Sequence, residues 1–358
     1  MKLSTPKVNA LLNLGVHLEL FQITPARQKP HGLHLQQLIV LLRGTDASRE
    51  GSADMAAETS SQQMNLSRTK IMCDHIDAVA TWVDSSCPTW QAMRTRHAPN
   101  EGDSRFPPPE SPDAEVELCI SLILKHLPWL RFLWLVTMRP QTPKCLSRPE
   151  FEGRVKVIHH DEIMPTSHLP TFNSQAIEAN LWKIPLLAER FVYFNDVVYV
   201  LKSTSPDVFF KLRKPIAWPS KPVPSGWNND SCMYKTAWCN LAREHKGARL
   251  LHHVPLSLTK TILSDAANHF ENLWNDTSSS RGKGATNIPP IGAAINLAIR
   301  NGTALVEKKP KTLMKETVIK PKTVSAILKK EALFLCVNRQ PFHKTKAFCE
   351  EMKVQLLT

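Results

Sequence analysis

The sequence predicts an α/β fold: a mainly parallel sheet with helices on both faces, followed by a more helical second half. Two observations support this prediction. Short apolar runs alternate with stretches of helical spacing in the first part of the chain, and helical spacing dominates later. With 358 residues, of which 42% are hydrophobic and 22% charged, the chain has the composition of a globular protein with a sizeable core.

The individual elements follow from these patterns. Apolar and β-branched content predicts strands at residues 76–83, 132–138, 155–159, 191–194 and 332–337. Apolar positions three and four apart predict helices at residues 114–126, 174–184, 234–244 and 258–274, and we expect Ser174 to cap the second of these. Alternating strands and helices are typical of a Rossmann-like, doubly wound sheet, which binds ligands at the carboxyl ends of its strands.

The ends of the chain differ from its middle. Residues 45–67 are polar and short-sided and lack periodicity, which is typical of a disordered linker. We therefore predict a poorly ordered extension at residues 1–70, one domain at 71–345 and a tail at 346–358. The lysine-rich residues 308–330 are expected to be a solvated stretch. No apolar run is long enough for a spanning helix, so we expect no membrane span.

The formal net charge of +13 favours anionic partners. Nucleic acid, an acidic membrane surface, a polyanionic glycan and a nucleotide sugar all fit this charge. No nucleic-acid-binding motif is recognisable, so we expect no nucleic-acid partner. The cysteines form no CxxC pair, which argues against a structural zinc site. The sequence gives no indication of the oligomeric state.

Acidic and polar side chains follow two of the predicted strands. Asp84 comes after the first strand, and Asn195 and Asp196 come after the strand at 191–194. A carboxylate at the end of an apolar strand is costly unless it is paired, bound to a metal or placed at an open cleft. These residues are therefore candidates for a site at the carboxyl edge of the sheet, and capping of a turn is the alternative role.

Four blocks of sequence form a recognisable set. They are IDAVATWVDSSCPTW (76–90); SRF (104–106) with EVELCISLILKHLPW (115–129), continuing into PTFNSQAIEANLWKIPLLAERFVYFND (170–196); HVPLSLTKTILSDAANHFENLWNDTSSSRGK (253–283); and FLCVN (334–338). Together they resemble the Stealth family, which includes bacterial capsule polymerases and the animal lysosomal-enzyme N-acetylglucosamine-1-phosphotransferase. The resemblance extends over about residues 76–340.

This resemblance implies an enzyme that moves a hexose-1-phosphate, such as N-acetylglucosamine-1-phosphate, from a UDP-sugar to a hydroxyl of a glycan or glycoprotein, with release of UMP. It implies a catalytic group of His253, Asp196 and Asp84. A histidine can act as general base because its pKa lies near working pH. The resemblance also implies Mg²⁺ or Mn²⁺, which we expect Asp196 and Asp84 to bind.

The same resemblance implies a set of substrate contacts. Cations in the TSSSRGK loop are expected to hold the diphosphate, and Arg105 is a third phosphate contact. Asn173 and Ser174 are expected to bind the sugar or cap the helix, with capping favoured for Ser174. Glu178 is expected to orient the acceptor or to support residues that do. The full set is Arg105, Asn173, Ser174, Glu178, Asn195, Arg281 and Lys283.

Five positions depart from the pattern of the family. This chain has Cys87, Val197 and Asn287 where the family has acids, and it has Glu117 and Ser121 where the family has cations. Two alternatives therefore stay open: a catalytically impaired paralogue that binds nucleotide sugar or glycan, and a metal-dependent glycosyltransferase. The compartment is open as well, because bacterial relatives act in the cytoplasm and animal relatives in the Golgi lumen.

Overall fold

The computed structural model describes residues 75–98, 112–195, 198–227, 232–315, 324–337 and 342–357. The predicted extension at 1–70 lies outside these residues. Within them the strands are β1 (Ile76–Thr81), β2 (Leu133–Thr137), β3 (Val155–His159), β4 (Arg190–Asn195), β5 (Val198–Val200), β6 (Phe210–Lys211), β7 (Lys214–Ala217), β8 (Pro219–Pro222), β9 (Arg249–Leu251), β10 (Leu256–Thr259), β11 (Leu305–Val306), β12 (Thr312–Lys315) and β13 (Phe334–Val337).

The helices of the described chain are α1 (Pro88–His97), α2 (Pro112–His126), α3 (His160–Ile163), α4 (Ser174–Glu178), α5 (Met233–Glu244), α6 (Lys260–His269), α7 (Glu271–Ser279), α8 (Pro290–Arg300), α9 (Val324–Leu328) and α10 (Phe342–Leu356). Short 3₁₀ turns occur at Lys144–Ser147, Pro149–Phe151, Thr166–His168, Leu181–Lys183 and Pro206–Val208.

A five-stranded sheet in the order β10-β4-β1-β2-β3 forms the centre. Its first four strands in the chain are parallel, and only β10 runs antiparallel, along β4. Strand β1 pairs with both β2 and β4, and its interior residues are buried because layers of structure cover both faces. The predicted α/β fold with a mainly parallel sheet is therefore confirmed.

Each face of the central sheet packs against a separate hydrophobic core. On one face, α2 and α10 pack with α9 and the small sheet β12-β13-β5, burying side chains such as Leu118, Phe334 and Phe348. On the other face, helices α4 to α8 bury side chains such as Tyr193 and Trp238. The helical second half of the chain thus forms most of one layer.

One buried carboxylate connects neighbouring segments at the amino edge of the central sheet. Asp77 in β1 is fully buried and accepts hydrogen bonds from Arg131 Nε (2.9 Å) and Nη2 (2.7 Å), Trp134 Nε1 (2.9 Å), and the backbone N–H groups of Phe132 (3.3 Å) and Ala188 (2.9 Å). A buried charge needs such partners to be tolerated. Asp77 therefore links β1 to the segments that begin β2 and β4.

Some sequence-based boundaries are wrong. The helix predicted at 174–184 ends at Glu178 and is followed by a 3₁₀ turn, Leu181–Lys183. The helix predicted at 258–274 is an edge strand, β10, followed by two helices, α6 and α7. Strand β10 forms because its four residues pair in register with β4, an interaction that helical spacing does not reveal.

The later segments are also more ordered than expected. The lysine-rich residues 308–330 contain β12 and α9, and Val324 and Ile327 of α9 are buried. Helix α10 occupies most of 346–358 and buries Phe348, Cys349 and Met352. The domain boundaries themselves stay a prediction. Among the described residues, no helix has the length and apolar character needed to cross a bilayer.

Candidate active site

The parallel strands end together and define a carboxyl edge. Thr81, the last residue of β1, pairs with Asn195, the last residue of β4, and Thr137 of β2 pairs with His159 of β3. Loops that follow these strands therefore meet at one edge, where open α/β sheets bind their ligands. Asp84 and Asn195 both lie at this edge, as predicted from the sequence.

Asp84 is held by hydrogen bonds of its backbone and of one carboxylate oxygen. Its backbone N–H donates to Gln141 Oε1 (3.0 Å), and its carbonyl accepts from Gln141 Nε2 (2.9 Å). Carboxylate Oδ1 accepts from the backbone N–H (2.8 Å) and hydroxyl (2.5 Å) of Ser86. Both of these hydrogen bonds use Oδ1, and the Asp84 side chain is only partly buried. The buried Gln141, which sequence reasoning missed, joins the loops after β1 and β2.

A chain of hydroxyl groups leads from the strand ends to Glu178. The Tyr193 hydroxyl donates to Glu178 Oε1 (3.3 Å) and lies 3.2 Å from Thr81 Oγ1. Burial raises the pKa of the Glu178 carboxyl from its usual 4.5 to about 7, while the Tyr193 hydrogen bond and the Lys283 charge lower it. Glu178 therefore exchanges a proton near neutral pH, a property suited to acid–base chemistry.

The loop at 280–287 brings its cations to this edge. Lys283 lies close enough to Glu178 for its charge to affect the pKa of that carboxyl. The Arg281 guanidinium donates to His97 Nδ1 (2.8 Å) at the end of α1, and the Arg281 carbonyl accepts from the backbone N–H of Phe172 (2.7 Å). The loop therefore carries one cation near Glu178, at the end of α4, and another at the end of α1.

Asn287 holds this loop in place. It is fully buried, its Oδ1 accepts from Asn173 Nδ2 (2.9 Å) and the backbone N–H of Gly284 (2.7 Å), and its Nδ2 donates to Ser280 Oγ (2.8 Å). Asn240 Nδ2 donates to the carbonyl of Asn287 (2.8 Å). The position where the family pattern led us to expect an acid is therefore occupied by an amide that clamps the cationic loop.

The sequence assigned the cap of α4 to the wrong residue. Asn173 Oδ1 accepts from the backbone N–H of Gln175 (3.1 Å), so Asn173 is the N-cap and Ser174 is the exposed first residue of the helix. Asn173 is buried and also bonds Asn287. Its amide can satisfy both partners, because the oxygen accepts from the helix while the nitrogen donates to the clamp.

His253 lies at the same edge. In β10, Leu256 pairs with Tyr193, two residues before the end of β4, so the chain upstream of Leu256 runs past the carboxyl end of that strand. The backbone N–H of Val254 donates to the carbonyl of His252 (3.0 Å), and the His253 side chain is exposed. The imidazole is therefore accessible to a substrate hydroxyl.

Several predicted residues cannot be placed. Asp196, Val197 and Arg105 lie outside the described residues. Among the residues that are described, no group of three or more histidine, cysteine and acidic side chains could hold a metal ion. Metal binding by Asp196 therefore stays a prediction.

Glu117 and Ser121, which stand where the family pattern has cations, lie away from the carboxyl edge of the sheet. Glu117 forms ion pairs with Arg148 and with Lys353 of α10 (2.9 Å), and together with Ser121 it lines a cavity of about 600 Å³ between α2 and α10. The acid at 117 therefore attaches the last helix of the chain to α2. Cys87 precedes α1 in the turn that begins at Asp84, and its backbone N–H donates to the Asp84 carbonyl (3.4 Å).

Tyr234 is another residue that sequence reasoning missed. It lies in the first turn of α5, is 38% exposed and packs edge-on against Trp238. Burial of its hydroxyl raises the pKa of Tyr234, and the Glu178 charge raises it further. An accessible aromatic side chain therefore lies near Glu178, and its only signal in the sequence is a tyrosine in the first turn of a predicted helix.

Comparison with known proteins finds similarity to the Stealth family and to capsular and exopolysaccharide phosphotransferases. The family description "Stealth protein CR2, conserved region 2" matches residues 113–217, which include α4 and β4. A capsular polysaccharide phosphotransferase of Actinobacillus pleuropneumoniae is 36% identical over 155 residues, 41% of this chain and 41% of the relative. An exopolysaccharide phosphotransferase of Streptomyces coelicolor is 30% identical over 261 residues, 68% of this chain and 47% of the relative.

The matches cover only part of each relative. A capsular polysaccharide phosphotransferase of Neisseria meningitidis serogroup B is 38% identical over 142 residues, 38% of this chain and 38% of the relative. The matched part of this chain thus spans less than half the length of these relatives. A solved structure of galactosyltransferase LgtC with donor and acceptor sugar analogs gives a TM-score of 0.43 at 9% identity, covering 79% of this chain and 96% of that chain, a similarity too weak to support a conclusion.

Proposed function

This chain belongs to the Stealth family, and we propose that it transfers a hexose-1-phosphate unit from a UDP-sugar to a hydroxyl of a glycan or glycoprotein. The observation that carries the proposal is the clamped loop with Arg281 and Lys283, held against the segment of Asn173 and Glu178 at the carboxyl edge. Cations on a fixed loop are suited to hold a diphosphate, because positioning and charge neutralisation provide most of the catalysis of phosphoryl transfer.

The proposed reaction breaks one phosphorus–oxygen bond. The acceptor oxygen attacks the phosphorus that carries the sugar, the bond from that phosphorus to the bridging oxygen breaks, and UMP leaves with the bridging oxygen. The sugar keeps its anomeric carbon–oxygen bond. His253 takes the proton of the attacking hydroxyl, and its exposure at the carboxyl edge supports this role.

The remaining residues of the proposed site bind and orient. Arg281 and Lys283 neutralise the diphosphate, and Arg105 is a further phosphate contact by prediction. Glu178 orients the acceptor hydroxyl, and its pKa of about 7 lets it accept or donate a hydrogen bond at neutral pH. Asn173 positions the site indirectly, because its side chain joins the loop at 280–287 to the first turn of α4. Asn195, at the end of β4, is a polar contact at the same edge.

Asp84 is a carboxylate of the kind that binds Mg²⁺ or Mn²⁺. A divalent cation held largely by substrate phosphates needs only one or two protein carboxylates, and the partly buried Asp84 carboxylate is suited to supply one. Asp84, with Asp196 by prediction, would hold the cation, which would neutralise diphosphate charge.

The test is the identity of the nucleotide released. The protein is incubated with a panel of UDP-sugars, acceptor glycans and Mg²⁺, and nucleotides and glycans are analysed by mass spectrometry. We expect UMP and a phosphodiester-linked glycan. UDP with a glycosidic product would instead identify a glycosyltransferase. Donor binding without turnover of any donor would identify a catalytically impaired paralogue.

A further inference from the structure

A hairpin at the amino edge of the central sheet has a backbone that its sequence does not favour. Strands β6 and β7 pair antiparallel with Lys211 opposite Lys214, so Leu212 and Arg213 form a two-residue turn. Both turn residues have positive φ, 50° and 62°. Hairpin turns of this kind favour Asn-Gly, because bulky side chains strain a left-handed backbone. Sites where sequence and backbone disagree in this way are often functional.

The strained turn presents an apolar side chain to solvent among cations. Leu212 is 86% exposed, and Lys211, Arg213 and Lys214 are also exposed. Lys211 Nζ donates a hydrogen bond to Glu307 Oε1 (2.6 Å), and Lys214 Nζ donates one to the carbonyl of Gly302 (2.8 Å). These two contacts anchor the base of the turn against the neighbouring strand and loop.

A second exposed leucine lies at the same edge. Leu186 has φ 62°, is 75% exposed and precedes β4, and its carbonyl accepts from Arg131 Nη2 (2.8 Å) beside Asp77. The hairpin also lies at this edge. Arg213 of its turn and Arg190, the first residue of β4, line one cavity of about 300 Å³. Two acids, Glu189 and Asp265, line the same cavity.

We propose that this amino-edge surface, defined by Leu186, Lys211, Leu212, Arg213 and Lys214, contacts an anionic lipid bilayer. Exposed leucines enter the boundary between headgroups and acyl chains, and nearby cations are attracted to anionic headgroups. A polyanionic glycan would pair with the cations but would leave the leucine side chains exposed to water. The carboxyl edge, at the other end of the strands, stays accessible to soluble substrate. This inference does not depend on the proposed reaction.

The experiment is co-sedimentation with vesicles of phosphatidylcholine alone or with phosphatidylglycerol added. We expect the wild-type chain to bind only the anionic vesicles, and less at high salt, because ions screen the attraction. The double variant Leu212→Asn, Arg213→Gly should lose roughly tenfold in vesicle affinity. Its Tm should equal or exceed that of the wild type, because Asn-Gly suits the turn.

Two further variants make the test specific. Leu212→Asn alone keeps Arg213 and should lose part of the affinity. Val354→Asn removes an apolar side chain of similar exposure, 60%, on α10, and should bind vesicles as the wild type does. Wild-type binding to neither vesicle, unchanged binding by the double variant, or binding only to a soluble sulfated glycan would each overturn the proposal.

Discussion

Glu178 combines burial with a position at the carboxyl edge. Its raised pKa, about 7, follows from the cost of desolvating a carboxylate, which outweighs the favourable effects of Tyr193 and Lys283. Sequence reasoning selected Glu178 from its motif but could not predict this pKa. The pKa depends on burial in the folded chain and on two later residues, Tyr193 and Lys283, that the fold brings to the carboxyl.

Replacing Glu178 should change how stability depends on pH. The folded state holds its proton up to about pH 7 and the unfolded state only to about 4.5, so the wild type loses stability as pH rises between these values. Glu178→Gln removes this loss. Relative to the wild type it should therefore gain up to about 3 kcal/mol on going from pH 4 to pH 8, measured by urea unfolding. The exposed Glu271→Gln is the control, and an equal pH dependence of both variants would contradict the assignment.

Asn287 differs from the acid of the family pattern, and the structure gives a reason for the amide. The sequence presents it as a missing acid, whereas its amide both accepts and donates within a buried network. A carboxylate could accept from Asn173 and Gly284 but could not donate to Ser280, whose hydroxyl already donates to the Asp276 carbonyl.

Asn287→Asp should therefore loosen the loop at 280–287. We expect faster amide hydrogen exchange in this loop and a donor KM raised roughly tenfold, with about 1–3 kcal/mol lost from the free energy of unfolding. Asn296→Asp is the matched control, because Asn296 is also a buried amide but bonds backbone groups of Arg249 and Gly292. It should destabilise similarly without affecting donor KM. If both variants alter KM equally, Asn287 has no specific positioning role.

At the scale of elements, the four parallel strands of the central sheet were the most predictable features. Strands β1, β2 and β4 are short, mostly buried apolar runs, which leave a clear signal. The edge strand β3 is only partly buried, yet it matches its predicted bounds, Val155–His159. Strand β10 was missed because Leu258 and Thr259 also fit the helical spacing of α6, and only pairing with β4 decides between the two. The cap of α4 was misassigned because both Asn173 and Ser174 have capping side chains.

Asp77 should be the most costly polar residue to remove from the sheet. Asp77→Ala leaves Arg131, the Trp134 indole and two backbone N–H groups without their shared acceptor, and we expect a loss of about 3–5 kcal/mol in urea unfolding. Arg139→Ala is the control, because it breaks ion pairs of a side chain that is 54% exposed and should cost less than about 1 kcal/mol. Similar losses in both would contradict this role of Asp77.

At the scale of the whole molecule, the two edges of the central sheet carry different chemistry. The carboxyl edge holds Asp84, Glu178, Lys283 and His253 near the ends of β1, β4 and β10, whereas the amino edge holds Asp77 and the amino-edge surface. The positions of acidic and polar residues after predicted strands, and of the family motifs, predicted the first edge. The second depends on the φ angles of Leu186 and Leu212, which composition and periodicity do not encode.

The most direct test of the central claim follows one oxygen atom. A UDP-sugar labelled with ¹⁸O at the oxygen that joins the anomeric carbon to phosphorus is incubated with the protein, acceptor glycan and Mg²⁺, and the products are analysed by mass spectrometry. Transfer of sugar phosphate predicts that the label appears in the glycan product and that unlabelled UMP is released. Label recovered in UDP, with an unlabelled glycoside as product, would contradict the account.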